Sequence, residues 1–195
     1  MGKSTVGAMM GVLGIPVHES DHAVHALLSE QYGQAYNAIN AAFPIYEFRQ
    51  IYNPKTKAIN RKKLGALVFH NAQYRQTLES ILHPLVRQRQ EAFLREEKAK
   101  GCEMACLDIP LLFETNAQDR LDYTITVSAP FVIQKQRVLS RPNMSEDKFH
   151  AILERQMPDT QKCKLADYVI KTGLGRAHTM KTLKTTLMDI RQKSE

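Results

Sequence analysis

The sequence predicts an α/β domain in which a parallel sheet is covered by helices on both faces. Three observations carry this expectation. Short apolar or β-branched segments alternate with longer stretches of helical periodicity, the pattern of strands joined by crossover helices. Carboxylates, arginines and a glycine follow the strand segments, where parallel sheets bind their ligands. The chain also opens on Gly2-Lys3-Ser4-Thr5, which reads as the back half of a glycine-rich phosphate-binding loop.

The elements follow in order. Residues 3–13 continue from the loop as a helix, and Ile15-Pro16-Val17-His18 is a brief extended segment. Helical periodicity then covers 20–31, 34–42, 61–69 and 71–99, with the Leu/Val/Phe stripe through 64–69 expected to be core packing. Between them, 43–60 is irregular, with a turn at Asn53-Pro54-Lys55. Strand character returns at 104–109, where Asp108 lies near the end of an apolar run, and at 122–128, which alternates and is rich in β-branched residues. Helices over 131–141 and 145–157, a short strand at 168–171 and a helix over 176–193 complete the chain. There is no internal repeat or low-complexity tract, so residues 1–195 are expected to form a single nucleotide-binding domain with helical excursions.

Composition narrows the function classes. The 195 residues are 43% hydrophobic and 24% charged, ordinary values for a globular protein. A formal charge of +7 favours an anionic partner, but the 27 Lys and Arg are scattered rather than striped. A phosphorylated small molecule fits that distribution better than nucleic acid. Cys102, Cys106 and Cys163 lack zinc-site spacing and are expected to be reduced thiols. No apolar run approaches the roughly 20 residues that span a bilayer, and there is no signal-peptide pattern. The expected compartment is the cytoplasm, without a membrane partner.

The opening tetrapeptide has a definite chemistry. Glycine lets backbone amides approach phosphate oxygens, Lys3 reaches the β- and γ-phosphates, and Ser4 or Thr5 ligates Mg²⁺ at the positive end of a helix. A frayed terminus carrying a lysine is the plain alternative. His18-Glu19-Ser20-Asp21-His22 matches the H-E-x-x-H pattern of zinc hydrolases. That chemistry needs both histidines one turn apart on one helix. Here His18 belongs to an extended segment, and Ser20 or Asp21 is the expected cap of the helix that carries His22. The better use of this stretch is a strand-end carboxylate, Asp21, that orients an acceptor hydroxyl or takes its proton. The alternative is that Asp21 only caps its helix.

With these motifs in place, the chain resembles the dephospho-CoA kinase family, from Gly2 to about Gly175. Gly2-Lys3-Ser4-Thr5 is followed by Gly14-Ile15-Pro16-Val17 and by Glu19-Ser20-Asp21, similar to the family's D-A-D. Arg61-Lys62-Lys63-Leu64 with Val68-Phe69, and Leu82-His83-Pro84-Leu85, match two further elements. Leu107-Asp108-Ile109-Pro110-Leu111-Leu112-Phe113-Glu114 is close to the family's D-V-P-L-L-F-E. Gln136-Arg137-Val138-Leu139-Ser140-Arg141 resembles the lid segment; Arg155-Gln156-Met157-Pro158, Lys162 and Ala166-Asp167-Tyr168 resemble the stretch beyond it.

The resemblance implies a three-layer P-loop kinase fold, like that of nucleoside monophosphate kinases. It would have a parallel central sheet of about five strands, a helical acceptor-binding excursion over about 30–100 and a lid over about 137–160. It implies ATP and dephospho-CoA as partners, Mg²⁺ as cofactor, and transfer of the γ-phosphoryl to the ribose 3′-hydroxyl. A monomer is expected, with an oligomer left open. In these terms Gly2, Lys3, Ser4 and Thr5 bind ATP, Ser4 ligates Mg²⁺, and Asp21 serves the acceptor hydroxyl. Arg137 and Arg141 neutralise charge on the transferred phosphoryl. Asp108 resembles a carboxylate that holds Mg²⁺ through water, or else caps the following segment. Arg61 binds acceptor phosphate or forms a surface ion pair; His83 touches substrate or is an ordered helix-start residue.

Three departures stand out. His25 occupies a position where the family pattern places Arg. Lys171-Thr172-Gly173 replaces a stretch that often carries Asn, which moves the expected adenine contacts to backbone around Thr172 and Gly173. The strand and first glycine that should precede Gly2 are absent. The expectation is that Met1 occupies the variable slot between two loop glycines and is an internal residue of the working kinase. A truncated, catalytically impaired homologue is the alternative.

Overall fold

The computed structural model describes residues 2–142, 144–154 and 156–194, so Met1 and Arg155 lie outside the described residues. In chain order the elements are α1 (Lys3–Val12), β1 (Val17–Glu19), α2 (Ser20–Ser29), α3 (Gln34–Ala42), α4 (Arg61–His70), α5 (Ala72–Ala99), β2 (Cys106–Asp108), β3 (Ile125–Ser128), α6 (Phe131–Leu139), α7 (Glu146–Leu153), α8 (Asp159–Leu165), β4 (Tyr168–Lys171) and α9 (Arg176–Ser194). The alternation expected from the sequence is present, and β3 and β4 are parallel, from Ile125 opposite Tyr168 to Ser128 opposite Lys171. No helix among the described residues is long and apolar enough to cross a membrane.

The sheet differs from the expected arrangement of about five strands. Among the described residues β1 pairs only with β2, and β3 only with β4. Cys106, Leu107 and Asp108 of β2 are half-buried.

The chain divides into two compact units, Met1–Val17 with Asp108–Glu195, and His18–Leu107. In the first, Val6, Met9 and Met10 of α1, Ile170 of β4, and Leu183, Leu187 and Ile190 of α9 are buried. Asp167 fastens the start of the parallel pair. Its carboxylate accepts the Thr124 N–H and hydroxyl, both at 2.7 Å, and its own N–H donates back to Thr124 Oγ1 at 3.0 Å. These bonds hold the Asp167 carboxyl below its ordinary value.

The second unit is a helical cluster. Phe43, Ile39, Ile51 and Leu64 are almost fully buried, with Leu67 and Val68 packed against the cluster, so Leu64, Leu67 and Val68 of the α4 stripe are core as expected. Asn60 and Asn71 cap α4 and α5 through bonds to the Lys63 and Tyr74 amides. The expected turn is an Asn53 side-chain turn, with Oδ1 accepting from the Lys55 and Thr56 amides. Tyr52 donates to the Phe43 carbonyl at 2.7 Å, and burial, with Tyr36 nearby, pushes its phenol up to about 12.

One helix is unexpected. The periodicity predicts a single helix over 145–157, whereas α7 ends at Leu153 and α8 begins at Asp159, directly after Pro158. Steric conflict with the proline ring keeps the preceding residue out of helical conformation, while Pro158 itself is well shaped to enter a new helix. Pro84, by contrast, is accommodated inside the long α5, where a missing amide bond is a small fraction of the total.

Candidate active site

The first unit gathers the loop, Arg137 and the end of β4. Gly2 caps α1 with φ 104°, a left-handed conformation that favours glycine. A Cβ at Gly2 would also lie 3.2 Å from Thr172 Oγ1. No side chain caps α1 and no acidic residue lies in its first turn. The helix start thus offers amides and a positive dipole end to an anion. Lys3 Nζ pairs with Asp108 Oδ1 at 2.6 Å, with the two side chains 34% and 22% exposed. Asp108 is therefore an ion-pair partner of the loop lysine, not a cap of the segment after it. Ser4 is exposed and Thr5 half-buried beside them.

Arg137, in the last turn of α6, donates to Thr172 Oγ1 and to the Thr172 carbonyl, each at 3.0 Å. Gly173 follows, and a Cβ there would meet the rigid Pro130 ring at 2.9 Å, so only glycine fits without a shift. Arg141, just beyond α6, is exposed.

Glu114 was not among the expected site residues. It lies in the turns after β2, and its Oε1 accepts from Lys162 Nζ at 2.7 Å and from the Met157 N–H at 2.9 Å. The side chains are only 16% and 11% exposed. This ties the D-I-P-L-L-F-E segment to the region after α7. Burial pushes the Glu114 carboxyl upward, but the bonds from Lys162 and from backbone amides outweigh it and hold the group below its ordinary value. A depressed carboxyl stabilises the fold above its unfolded titration range and loses that contribution as pH falls through the folded value. Glu114→Gln strands a buried lysine and is expected to cost about 3–5 kcal/mol near neutrality. Denaturant unfolding should show this gap narrowing as the pH is lowered toward about 3. A gap that stays constant with pH would contradict the ion-pair account.

The second unit carries the acceptor-side candidates. The residue before α2 is Glu19, and Ser20 Oγ accepts from buried Gln90 Nε2 at 2.9 Å, so neither Ser20 nor Asp21 is the cap. Asp21 instead stands exposed in the first turn of α2. With Val24, His25, Leu28, Asn60, Arg61 and Lys62 it lines an open pocket of about 450 Å³. Its lining combines the apolar Val24 and Leu28 with one carboxylate and two cations. Arg61 forms no ion pair among the described residues. His83 is not part of this pocket; it is exposed within α5 rather than at a helix start.

His18 lies on β1 and His22 on α2, so the two do not share a helix. The His18 ring packs on Phe93 at 5.4 Å, and burial lowers its pKa. No group of three or more His, Cys, Asp or Glu suited to a metal exists among the described residues.

The family model CoaE, dephospho-CoA kinase, matches residues 1–175. The chain belongs to the dephospho-CoA kinase family. A dephospho-CoA kinase of Mesorhizobium japonicum is 46% identical over 175 residues, covering 90% of this chain and 84% of that protein. A dephospho-CoA kinase from Campylobacter jejuni superposes with a TM-score of 0.68 at 26% identity, over 100% of this chain and 94% of its own. TT1252 from Thermus thermophilus superposes with a TM-score of 0.76 at 29% identity, over 96% and 91%. The fold is thus the α/β P-loop fold of the dephospho-CoA kinase family, whose members are ATP-binding transferases. The Ser4 hydroxyl and the Asp108 carboxylate are hard oxygens of the kind that Mg²⁺ prefers, so the donors present would suit that ion.

Proposed function

We propose that this chain transfers the γ-phosphoryl group of ATP to the ribose 3′-hydroxyl of dephospho-CoA, giving CoA and ADP, the last step of coenzyme A biosynthesis. The observation that carries the reading is the Lys3–Asp108 pair at a glycine-led helix start that has no side-chain cap. It supports a phosphate site already holding its lysine.

The roles follow from the side chains. The first-turn amides of α1 and Lys3 bind the β- and γ-phosphates, with Lys3 exchanging its bond to Asp108 for phosphate oxygens. Ser4, and Asp108 once released, would hold Mg²⁺, which when bound neutralises phosphate charge. Asp21 orients the 3′-hydroxyl and takes its proton as the new oxygen–phosphorus bond forms and the bond to the ADP oxygen breaks. Arg61 and Lys62 attract the acceptor's phosphates to the pocket beside Asp21, where His25 stands in the place of the family's arginine. Arg137 and Arg141 stabilise charge that spreads over the phosphoryl oxygens in transit. Backbone around Thr172 and Gly173 contacts the adenine.

Steady-state turnover with ATP, comparing dephospho-CoA with plain nucleosides, tests the substrate. Dephospho-CoA should be preferred, and a preference for nucleosides would refute the assignment. Arg137→Ala and Arg141→Ala should each lower kcat by about 10²-fold with little change in ATP affinity. Equal weakening of kcat and binding would refute the arginine roles.

A further inference from the structure

Thr172 sits at the meeting point of the phosphate loop, β3 and α6, and all its polar groups are engaged within the protein. Its N–H donates to the Ser128 carbonyl at 2.8 Å, and its hydroxyl donates to the same oxygen at 3.2 Å. With its proton so placed, Oγ1 presents a lone pair to Arg137 Nη1, while the Thr172 carbonyl accepts from Arg137 Nη2. The two bonds come from two nitrogens of one planar fork, so they fix both the position and the plane of the guanidinium. On its other side the same side chain lies against Gly2, with Oγ1 and Cγ2 at 3.2 and 3.3 Å from where a Cβ would be. The residue is 7% exposed.

We propose that Thr172 is a positioning residue that clamps Arg137 and, through its contact with Gly2, aligns that arginine with the phosphate loop. The inference rests on the proposed role of Arg137 in phosphoryl transfer. It differs from a nucleotide contact by the Thr172 hydroxyl, because that hydroxyl already donates its hydrogen bond to the Ser128 carbonyl. Valine and threonine have nearly the same shape, so removal of the hydroxyl leaves the packing against Gly2 while releasing one arm of the clamp. A guanidinium free to swing by an ångström loses much of its value to the transition state and little to ground-state ATP binding.

The test compares Thr172→Val with Thr172→Ser, with kcat and KM for ATP measured separately. Thr172→Val is expected to lower kcat about fivefold to tenfold with KM unchanged, and Thr172→Ser to restore it. Added to Arg137→Ala, Thr172→Val should cause no further loss, because the residue acts through the arginine. A raised KM for ATP with unchanged kcat would make the Thr172 side chain a nucleotide contact and overturn the proposal, as would additive losses in the double variant. If Thr172→Val does not melt cooperatively, Thr172→Ala is compared with Thr172→Ser by the same criteria. A wild-type kcat in Arg137→Ala would defeat the role assigned to the arginine. A wild-type kcat in Thr172→Val alongside an impaired Arg137→Ala would defeat only the clamp.

Discussion

Asp21→Asn is expected to lower kcat by a factor of about 10²–10⁴ and to leave KM for ATP nearly unchanged. Asparagine keeps the size of the side chain and can still hydrogen-bond the acceptor hydroxyl, but it cannot take the proton. The fold should be indifferent to the change. Asp21 is exposed and is not the cap of α2, and the buried bond in that turn belongs to Ser20 and Gln90. Thermal unfolding of the variant should therefore match the wild type. A large loss of stability with a proportionate loss of activity would mean that Asp21 is structural, and an unaltered kcat would remove it from the chemistry.

Lys3→Met is expected to reduce kcat by about 10²–10³ and to weaken ATP binding as well. The ammonium is the group closest to the helix start that can follow charge from the β,γ-bridge to the leaving ADP. Its pairing with Asp108 at 2.6 Å adds a second, separable consequence. In Lys3→Met the half-buried Asp108 carboxylate loses its partner, and repulsion between it and the incoming phosphates is no longer offset. Lys3→Met/Asp108→Asn should recover neither ATP affinity nor kcat, because it also removes the carboxylate that would hold Mg²⁺. Recovery of kcat in the double variant would show that Lys3 serves only to neutralise Asp108.

Much of the fold was legible because its signals are local. The alternation of elements, the glycine-led start of α1, the asparagine turn at residue 53 and the apolar stripe of α4 each depend on residues close in sequence. The misleading H-E-x-x-H match was resolved by the same local reasoning, since Pro16 and Val17 place His18 in extended backbone ahead of the helix. The features that escaped are bonds between distant segments. Glu114 with Lys162, Thr124 with Asp167, and Arg137 with Thr172 each join positions that no periodicity relates. The expected helix over 145–157 stops before Pro158 but runs past the end of α7 at Leu153, and α8, only seven residues long, is too short for periodicity to reveal. At the site, Lys3, Asp108, Arg137 and Thr172 were named individually from motifs. Their pairing, lysine with aspartate and arginine with threonine, is information only the fold contains. His83, offered by its motif as a substrate contact or a helix-start residue, lies exposed within α5 and outside the pocket that holds Asp21 and Arg61.

The most direct test of the central claim is the position of the transferred phosphate. ATP labelled at the γ-phosphorus is incubated with dephospho-CoA and the protein, and the product is analysed by phosphorus–proton correlation NMR. Coupling of the new phosphorus to the ribose 3′-proton is the predicted result. Label on the 2′-oxygen, on another group of the acceptor, or only in inorganic phosphate would contradict it.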